Sequence, residues 1–227
     1  VGDDRRAGDY YRTVEGGSRI LWGGRITTRT TEPRDVAAIL RHEMVTTYPQ
    51  LAELKGTYVL DPSHTTIGFV TRHAMVTKVR GSFEEYTGTA TIDGANPSAS
   101  TLDVDIQAAS INTRNADRDG HVRSGDFLDV ETYPTIDFVS TGVRYEKGDF
   151  LVDGDLTMHG VTKPVTFELE FGGFGTDPYG NYKAGATATT VINREDFGLT
   201  WNAALETGGV LVGKDVTITL DLQGSIQ

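Results

Sequence analysis

The chain has 227 residues, no cysteine and a formal net charge of −11 at pH 7. Without cysteine there is no disulfide framework, no thiolate nucleophile and no cysteine-based zinc site. The negative charge argues against a nucleic-acid partner, because binding phosphates requires a concentrated basic surface. The charge is uneven: residues 1–56 hold 9 Lys and Arg against 8 Asp and Glu, and residues 57–227 hold 12 against 24. This asymmetry indicates that the two stretches have different origins.

The first stretch, residues 1–56, predicts a hairpin followed by a helix. Two short strands over 9–14 and 18–27 flank Glu15-Gly16-Gly17, a composition typical of a tight turn. Apolar residues at helical spacing then run from Pro33 until Pro49 ends the pattern. The sequence thus indicates an N-terminal extension built of a hairpin and a helix.

The same stretch is weakly similar to the substrate-domain region of flavin-dependent amine or amino-acid oxidases. The residues that carry this likeness are Tyr10-Tyr11-Arg12 and Leu21-Trp22-Gly23-Gly24-Arg25. The chain has no Gly-x-Gly-x-x-Gly loop that would hold the dinucleotide of FAD, so the likeness does not imply an oxidase. A likeness over so short a stretch leaves three origins open: the tail of a longer fusion, a gene-fusion remnant, or a mispredicted start.

From Thr57 onward, apolar and polar residues alternate along the chain, run after run. Strict alternation places every second side chain on one face, which is typical of antiparallel strands with one buried and one solvated face. Turn signals such as Asp93-Gly94 and His159-Gly160 separate the runs. About eight such strands predict a β-sandwich or a closed barrel, and the pattern alone leaves both open. The clearest runs are 102–108, 165–171, 184–190 and 216–222.

One polar and irregular stretch, residues 109–134, interrupts the strands. A long insertion in a tight β meander is uncommon unless it has a role. We interpret it as a loop with two short helical turns. One is predicted over Arg118–Ser124 with Asp117 as its N-cap, and the other over Asp126–Val130.

Five ordered motifs in this second stretch resemble the YceI family, the lipocalin-like polyisoprenoid-binding proteins. The resemblance covers nearly all of residues 57–227. The motifs are Tyr58-Val-Leu-Asp-Pro-Ser-His64, Lys78-Val-Arg-Gly-Ser-Phe83, Arg118-Asp-Gly-His-Val-Arg-Ser-Gly-Asp-Phe127 with Glu131-Thr-Tyr-Pro134, Gly154-Asp-Leu-Thr-Met-His-Gly-Val-Thr-Lys-Pro-Val165 and Ile192-Asn-Arg-Glu-Asp-Phe-Gly198.

This resemblance implies a mainly β fold: an eight-stranded antiparallel lipocalin-like β-barrel with a helical insertion. It further implies an elongated apolar channel that binds and carries or sequesters a long isoprenoid or fatty-acyl chain, with no cofactor and no catalysis. Such a ligand requires an aliphatic and aromatic lining. The expected lining or mouth residues are Ile67, Phe69, His73, Phe83, Ile106, Phe127, Phe138, Leu156, Phe167, Ile192, Trp201 and Ile218. The alternative for each is that it simply fills the barrel.

The polar residues of the insertion have two interpretations. In the first, Arg118, Asp119, His121, Ser124 and Asp126 form a structural network that pins the insertion to the barrel, since buried polar groups need partners. In the second, Asp119, His121 and Asp126 act as an acid/base group on a lipid-like substrate. We favour the structural network, because such networks more often position loops than catalyse.

A third alternative is a calcium-stabilised interaction module. Asn115, Asp117, Asp119, Gly120 and Asp126 fall at positions 1, 3, 5, 6 and 12 of an EF-hand loop. Position 12 carries Asp in place of the longer Glu that coordinates through both oxygens, and the strand-like run before the loop does not predict the helix of an EF-hand. We therefore expect no metal site.

The expected partner is thus an apolar lipid, with no nucleic acid, and the sequence leaves a homodimer open. No run of about 18 apolar residues occurs, so no transmembrane segment is predicted. The start also lacks the apolar core of a signal peptide. If the chain is complete as given, a cytoplasmic location would follow, although it begins with Val rather than Met.

Overall fold

The computed structural model describes residues 10–14, 19–23, 49–146, 149–206 and 208–227. These residues form thirteen β-strands, one α-helix and four 3-10 helices. The strands are β1 (Tyr10–Val14), β2 (Arg19–Gly23), β3 (Lys55–Leu60), β4 (Thr66–His73), β5 (Thr77–Phe83), β6 (Tyr86–Asp93), β7 (Thr101–Gln107), β8 (Ile111–Asn112), β9 (Thr135–Glu146), β10 (Asp149–Met158), β11 (Val161–Thr176), β12 (Tyr182–Asn193) and β13 (Val212–Ile226). The α-helix is α1 (Ala116–Arg123), and the 3-10 helices are Pro49–Glu53, Pro97–Ala99, Ala108–Ser110 and Arg194–Phe197.

The N-terminal strands β1 and β2 pair with each other as an antiparallel hairpin. The register matches Tyr10 with Gly23 and Val14 with Arg19. This pairing agrees with the hairpin predicted from the sequence. The predicted turn at 15–17 and the predicted helix between Pro33 and Pro49 lie outside the described residues.

Eight strands form a closed antiparallel barrel. Their order is β12, β11, β10, β9, β7, β6, β3 and β13, and β13 then pairs with β12 to close the ring. The closed barrel confirms the predicted fold. Alternation explains its core: along β7, Leu102, Val104 and Ile106 are turned inward while Asp103 and Asp105 are exposed. Each fully buried Val, Ile or Phe side chain contributes about 1.5–3 kcal/mol to folding.

The last strand, β13, holds the barrel together through three partners. Its residues 215–225 pair with β12, its residues 224–226 pair with β3, and its residues 212–221 pair with β4. Strands β3 and β4 therefore follow each other along one edge of β13. Strand β4 also pairs with β5, and β5 with the short β8, so this sheet extends toward α1.

Asp61 holds the corner between β3 and β4. Its Oδ1 accepts a hydrogen bond from Ser63 N at 3.0 Å, and its Oδ2 lies 2.8 Å from His64 Nδ1. Lys183 Nζ of β12 and Gln223 Nε2 of β13 also donate to Oδ2, each at 3.2 Å. The hydrogen bonds from Ser63 and then His64 hold the pKa of Asp61 well below its ordinary value. One carboxylate thus ties the corner to both neighbouring strands.

Gly154 of β10 allows the wall of the barrel to close over an aromatic ring. A Cβ at this position would collide with the ring of Phe138 on the adjacent strand and with the carbonyl of Val139. Glycine in a strand is unfavourable by itself, and here it permits the close approach of that ring. Phe138 in turn makes an edge-to-face contact with Phe167, with ring centroids 5.3 Å apart.

The insertion differs from its prediction in two details. Helix α1 begins two residues earlier than expected, and its N-cap is Asn115, whose Oδ1 accepts from Arg118 N at 2.9 Å. The predicted cap, Asp117, instead lies in the first turn, where its charge favours the helix dipole. The second predicted helical turn, over Asp126–Val130, is wrong. These residues form hydrogen-bonded turns, with Asp129 in the left-handed region at φ 45°.

Within the described residues, no helix has the length and hydropathy needed to cross a membrane.

Candidate ligand-binding site

The barrel encloses a cavity of about 290 Å³. This volume is close to the lower end of the ~300–1,000 Å³ that is typical of small-molecule pockets. The wall is overwhelmingly aliphatic and aromatic. It is contributed by six of the barrel strands, by β4, β5 and β8, and by α1 and the segment before β13. A lining of this composition is suited to an apolar chain.

Every residue expected at the channel lies on the cavity wall. These are Ile67, Phe69, His73, Phe83, Ile106, Phe127, Phe138, Leu156, Phe167, Ile192, Trp201 and Ile218. Seven of them belong to the buried core: Ile67, Ile106, Phe127, Phe138, Leu156, Phe167 and Ile192. Four more are partly buried and pack against that core: Phe69, Phe83, Trp201 and Ile218. That these residues contact a ligand remains a prediction.

Sequence reasoning missed part of the wall. Leu199 and Leu211 line the cavity from the irregular segment that precedes β13, and Val212, the first residue of β13, lines it as well. Alternation could not reveal Leu199 and Leu211, because they lie outside any strand. Thr113 and Arg72 were also missed, and only their position in the folded barrel brings them to the wall.

An aromatic cluster covers the cavity beside α1. The rings of His121 and Trp201 meet edge to face at 4.6 Å between centroids, and those of His121 and Phe127 at 5.1 Å. Phe127 and Trp201 are 5.2 Å apart. Aromatic pairs at these separations are worth about 0.5–1.5 kcal/mol beyond their burial. The cluster therefore couples the insertion to the segment before β13 at this end of the cavity.

Arg194 is the most deeply buried cation of the wall, with only 4% of its surface exposed. Its Nε donates to the carbonyl of Gly213 at 3.0 Å, and its Nη1 donates to the carbonyl of Leu199. Its guanidinium carbon lies 5.9 Å from the ring centroid of Phe127. Burial lowers the pKa of Arg194, and the nearby charge of Glu195 opposes that effect.

Thr113 is the centre of the first polar group of the insertion. Its backbone N and its Oγ1 donate to Asp119 Oδ1 at 2.8 and 2.5 Å. Arg118 Nε donates to Thr113 Oγ1, and Arg118 Nη2 donates to its carbonyl, both at 2.7 Å. Arg118 and Asp119 are thus joined through Thr113, a residue that the sequence analysis did not single out.

The second polar group contains the other predicted network residues. His121 Nε2 lies 2.9 Å from Asp126 Oδ2, and Ser124 Oγ donates to the carbonyl of His121 at 2.7 Å. The backbone N of Asp126 reaches Ser124 Oγ at 3.4 Å. The five residues therefore lie in two groups on one helix and its end, and not in one continuous network.

This placement separates the residues of the acid/base interpretation. Of Asp119, His121 and Asp126, only His121 lines the cavity. Asp119 is buried against the backbone of Thr113, and Asp126 is exposed. An acid/base group acting on a bound lipid would need its members to converge on the ligand.

The EF-hand interpretation is wrong in its geometry. Residues 116–123 form α1, whereas an EF-hand loop wraps its ligands around the ion. Asn115 is used as the helix cap, and Asp119 Oδ1 is used by Thr113. The expected loop positions therefore do not form a coordination sphere.

A closed eight-stranded barrel of this kind is wide enough to hold one small ligand, as in the lipocalins. The pattern of the YceI-like domain matches residues 58–224 of this chain, so the chain belongs to that family. The match begins at Tyr58 and therefore gives no support to the likeness of residues 1–56 to flavin-dependent oxidases.

Individual relatives agree with this assignment. A UPF0312 protein of Pseudomonas putida is 46% identical over 138 residues, which is 60% of this chain and 71% of the relative. The crystal structure of BcnA from Burkholderia cenocepacia has a TM-score of 0.64 at 22% identity and covers 72% of this chain and 98% of its own. A polyisoprenoid binding domain from Saccharophagus degradans, implicated in plant cell wall breakdown, has a TM-score of 0.57 at 16% identity, with 77% and 100% covered.

Proposed function

We propose that residues 57–227 bind a long isoprenoid-type lipid in the barrel cavity and carry or sequester it without changing it chemically. The observation that carries this proposal is the barrel cavity with its almost wholly apolar wall. Moving an apolar chain from water into such a wall is favourable by about 0.8 kcal/mol for each buried CH₂ group. The fold shared with a polyisoprenoid binding domain supports the isoprenoid class of ligand.

The absence of convergent chemistry supports a carrier over an enzyme. Among the described residues, His121 is the sole member of the acid/base group to reach the cavity, and its partner Asp126 is exposed. Arg72, His73, Arg118 and Arg194 also line the cavity, but none of the described Asp or Glu residues lies on the wall to form an acid/base pair with them.

The experiment is the identification of lipid that co-purifies with the protein. We expect native mass spectrometry to show a ligand-bound species, and solvent extraction to release an isoprenoid. Lipid-free protein should then bind an added isoprenoid quinone or geranylgeraniol. Recovery of no lipid, together with no binding of either compound, would overturn the proposal. Recovery of a chemically altered lipid after incubation would overturn its non-catalytic part.

A further inference from the structure

The ionisable groups on the cavity wall are all basic. Arg72, His73, Arg118, His121 and Arg194 line the cavity, while none of the described Asp or Glu residues does. The chain as a whole has the opposite bias, with 32 Asp and Glu against 21 Lys and Arg. Basic groups have therefore been gathered at the cavity in a strongly acidic protein.

These basic residues lie at one end of the cavity. Gly213 connects two of them, since its carbonyl accepts from Arg194 Nε and a Cβ on Gly213 would be 3.3 Å from Arg72 Cβ. His73 is paired with Val212, the residue next to Gly213. Leu222, which also lines the cavity, is roughly 30 Å further along β13 at ~3.3 Å per residue. The cavity thus has a basic end and an apolar end.

The arginines have no ion-pair partner in the described part of the chain. Glu195, the neighbour of Arg194, pairs with Lys214 at 2.7 Å. Arg118 is bound to Thr113, a neutral residue. A guanidinium has five N–H donors, and the carbonyls around Arg194 leave some of them unused. Removing a cation from water without an opposite charge is costly, and an anion in the cavity would offset that cost.

Arg72 identifies where the cavity meets solvent. Among the described wall residues it alone is exposed, and the others are buried or half-buried. The basic end is therefore the open end. An amphipathic lipid that enters tail first would place its chain along the leucines and leave its head group near Arg72 and Arg194.

We infer that the lipid carried by this barrel ends in an anion, a carboxylate or a phosphate, which is held at the open end between Arg72 and Arg194. This inference rests on the proposed lipid-binding function and specifies the chemical class of its ligand. A carboxylate and a phosphate share the geometry that a guanidinium recognises with two parallel hydrogen bonds. A neutral head group would leave both arginines unpaired.

The test compares ligands that differ only in the head group. Lipid-free protein is titrated with geranylgeraniol, geranylgeranoic acid and geranylgeranyl monophosphate at pH 8, and binding is followed by the fluorescence of Trp201 on the cavity wall. Replacing the other tryptophan, by Trp22→Phe, removes its background. We expect one or both anions to bind about tenfold more tightly than the alcohol, as a charge-assisted hydrogen bond predicts, and the preference to shrink with added salt.

Two variants separate the head-group site from general electrostatics. Arg72→Gln should abolish most of the preference for the anion and leave binding of the alcohol unchanged. The matched control is Arg80→Gln on β5, which removes an exposed arginine of the same hairpin that does not line the cavity. It should leave the preference intact. Arg194→Met, checked for folding by circular dichroism, should act like Arg72→Gln.

The outcomes distinguish the two proposals. Equal affinity for the alcohol and both anions would overturn the anionic head group while the lipid-binding function stands. If the Arg72 and Arg80 variants lose the preference for the anion to the same extent, the head group is not held at this end of the cavity, and that assignment would be overturned. Failure to bind any of the three compounds would overturn the lipid-binding function itself.

Discussion

Ala188 offers a direct test of whether the barrel interior is an open cavity or a tightly packed core. It lies on β12 with 6% of its surface exposed and lines the cavity between Leu169 and Leu220 on the neighbouring strands. The change Ala188→Phe adds an aromatic ring that points inward. The ring has to enter the cavity of about 290 Å³ or push the wall apart.

The two possibilities differ in the sign of their effect on stability. In a packed core, an added ring costs about 1–3 kcal/mol, and each 1 kcal/mol lowers Tm by about 2–4 °C for a domain of this size. In an open cavity the ring instead gains part of the ~1.5–3 kcal/mol available from burying a Phe side chain. We therefore expect the Tm of lipid-free Ala188→Phe to be unchanged or higher, and its affinity for geranylgeraniol to fall at least tenfold.

The assay uses thermal unfolding followed by circular dichroism, together with the fluorescence titration of Trp201. Lipid must first be removed, because a bound ligand raises Tm by mass action. Thr187→Phe is the matched control: it adds the same ring to the same strand, at an exposed position that does not line the cavity. A loss of more than about 5 °C in Tm corresponds to a destabilisation of about one to two kcal/mol. Such a loss, with the affinity for lipid unchanged, would refute the open cavity.

Three further predictions concern stability. Asp119→Ala leaves the buried donors of Thr113 without their acceptor and should lower the free energy of unfolding by about 1–3 kcal/mol in urea titrations, whereas Asp117→Ala, at an exposed site, should change it little. Asn115→Ala removes the cap of α1 and should cost about 1 kcal/mol by the same measurement; a neutral result would mean that the cap does not stabilise the insertion. Because the pKa of folded Asp61 is lowered, its charge stabilises the fold above the pKa of the unfolded state, and this contribution is lost as pH falls through the lowered folded value. The stability difference between wild type and Asp61→Asn should therefore be largest near neutral pH and shrink on acidification, and a difference that stays constant from pH 7 to pH 2 would contradict this role.

The strands could be predicted because burial on one face leaves a period of two in the sequence. The runs 102–108 and 216–222 correspond largely to β7 and β13, and their apolar side chains face the interior of the barrel. Closure of the barrel could not be predicted in this way, since alternation describes a sheet face and not the partner of an edge strand. It depends on β13 meeting β12, and the resemblance to a known family supplied that expectation.

The insertion shows where local signals become ambiguous. Asn115 and Asp117 are both good N-cap residues, and the sequence alone favoured the wrong one. The backbone decides between them, because Arg114 has a positive φ of 64° and Asn115 is extended before α1 begins. Thr113 carries no local signal at all. Its role arises only when Arg118 and Asp119 reach it from the helix.

The basic end of the cavity could not be predicted from local sequence signals either. Arg72 is the penultimate residue of β4, Arg118 lies on α1 and Arg194 begins a 3-10 helix, and nothing in their spacing relates them. Arg194 belonged to a recognised motif, but only the fold shows its guanidinium among backbone carbonyls at a cavity wall. Convergence of distant residues is a property of the closed barrel.

The position of β13 has a consequence for how the chain is made. Thr65 Oγ1 donates to the carbonyl of Gln223 across 158 residues of sequence, and β3 and β4 both rely on β13 as a neighbour. At a synthesis rate of ~5–20 residues per second, these early strands wait roughly 8–30 s on the ribosome before their partner emerges. Unpaired strand edges are templates for aggregation during such an interval. Nascent chains stalled before Val212 should therefore be the form of this protein that depends most on chaperones.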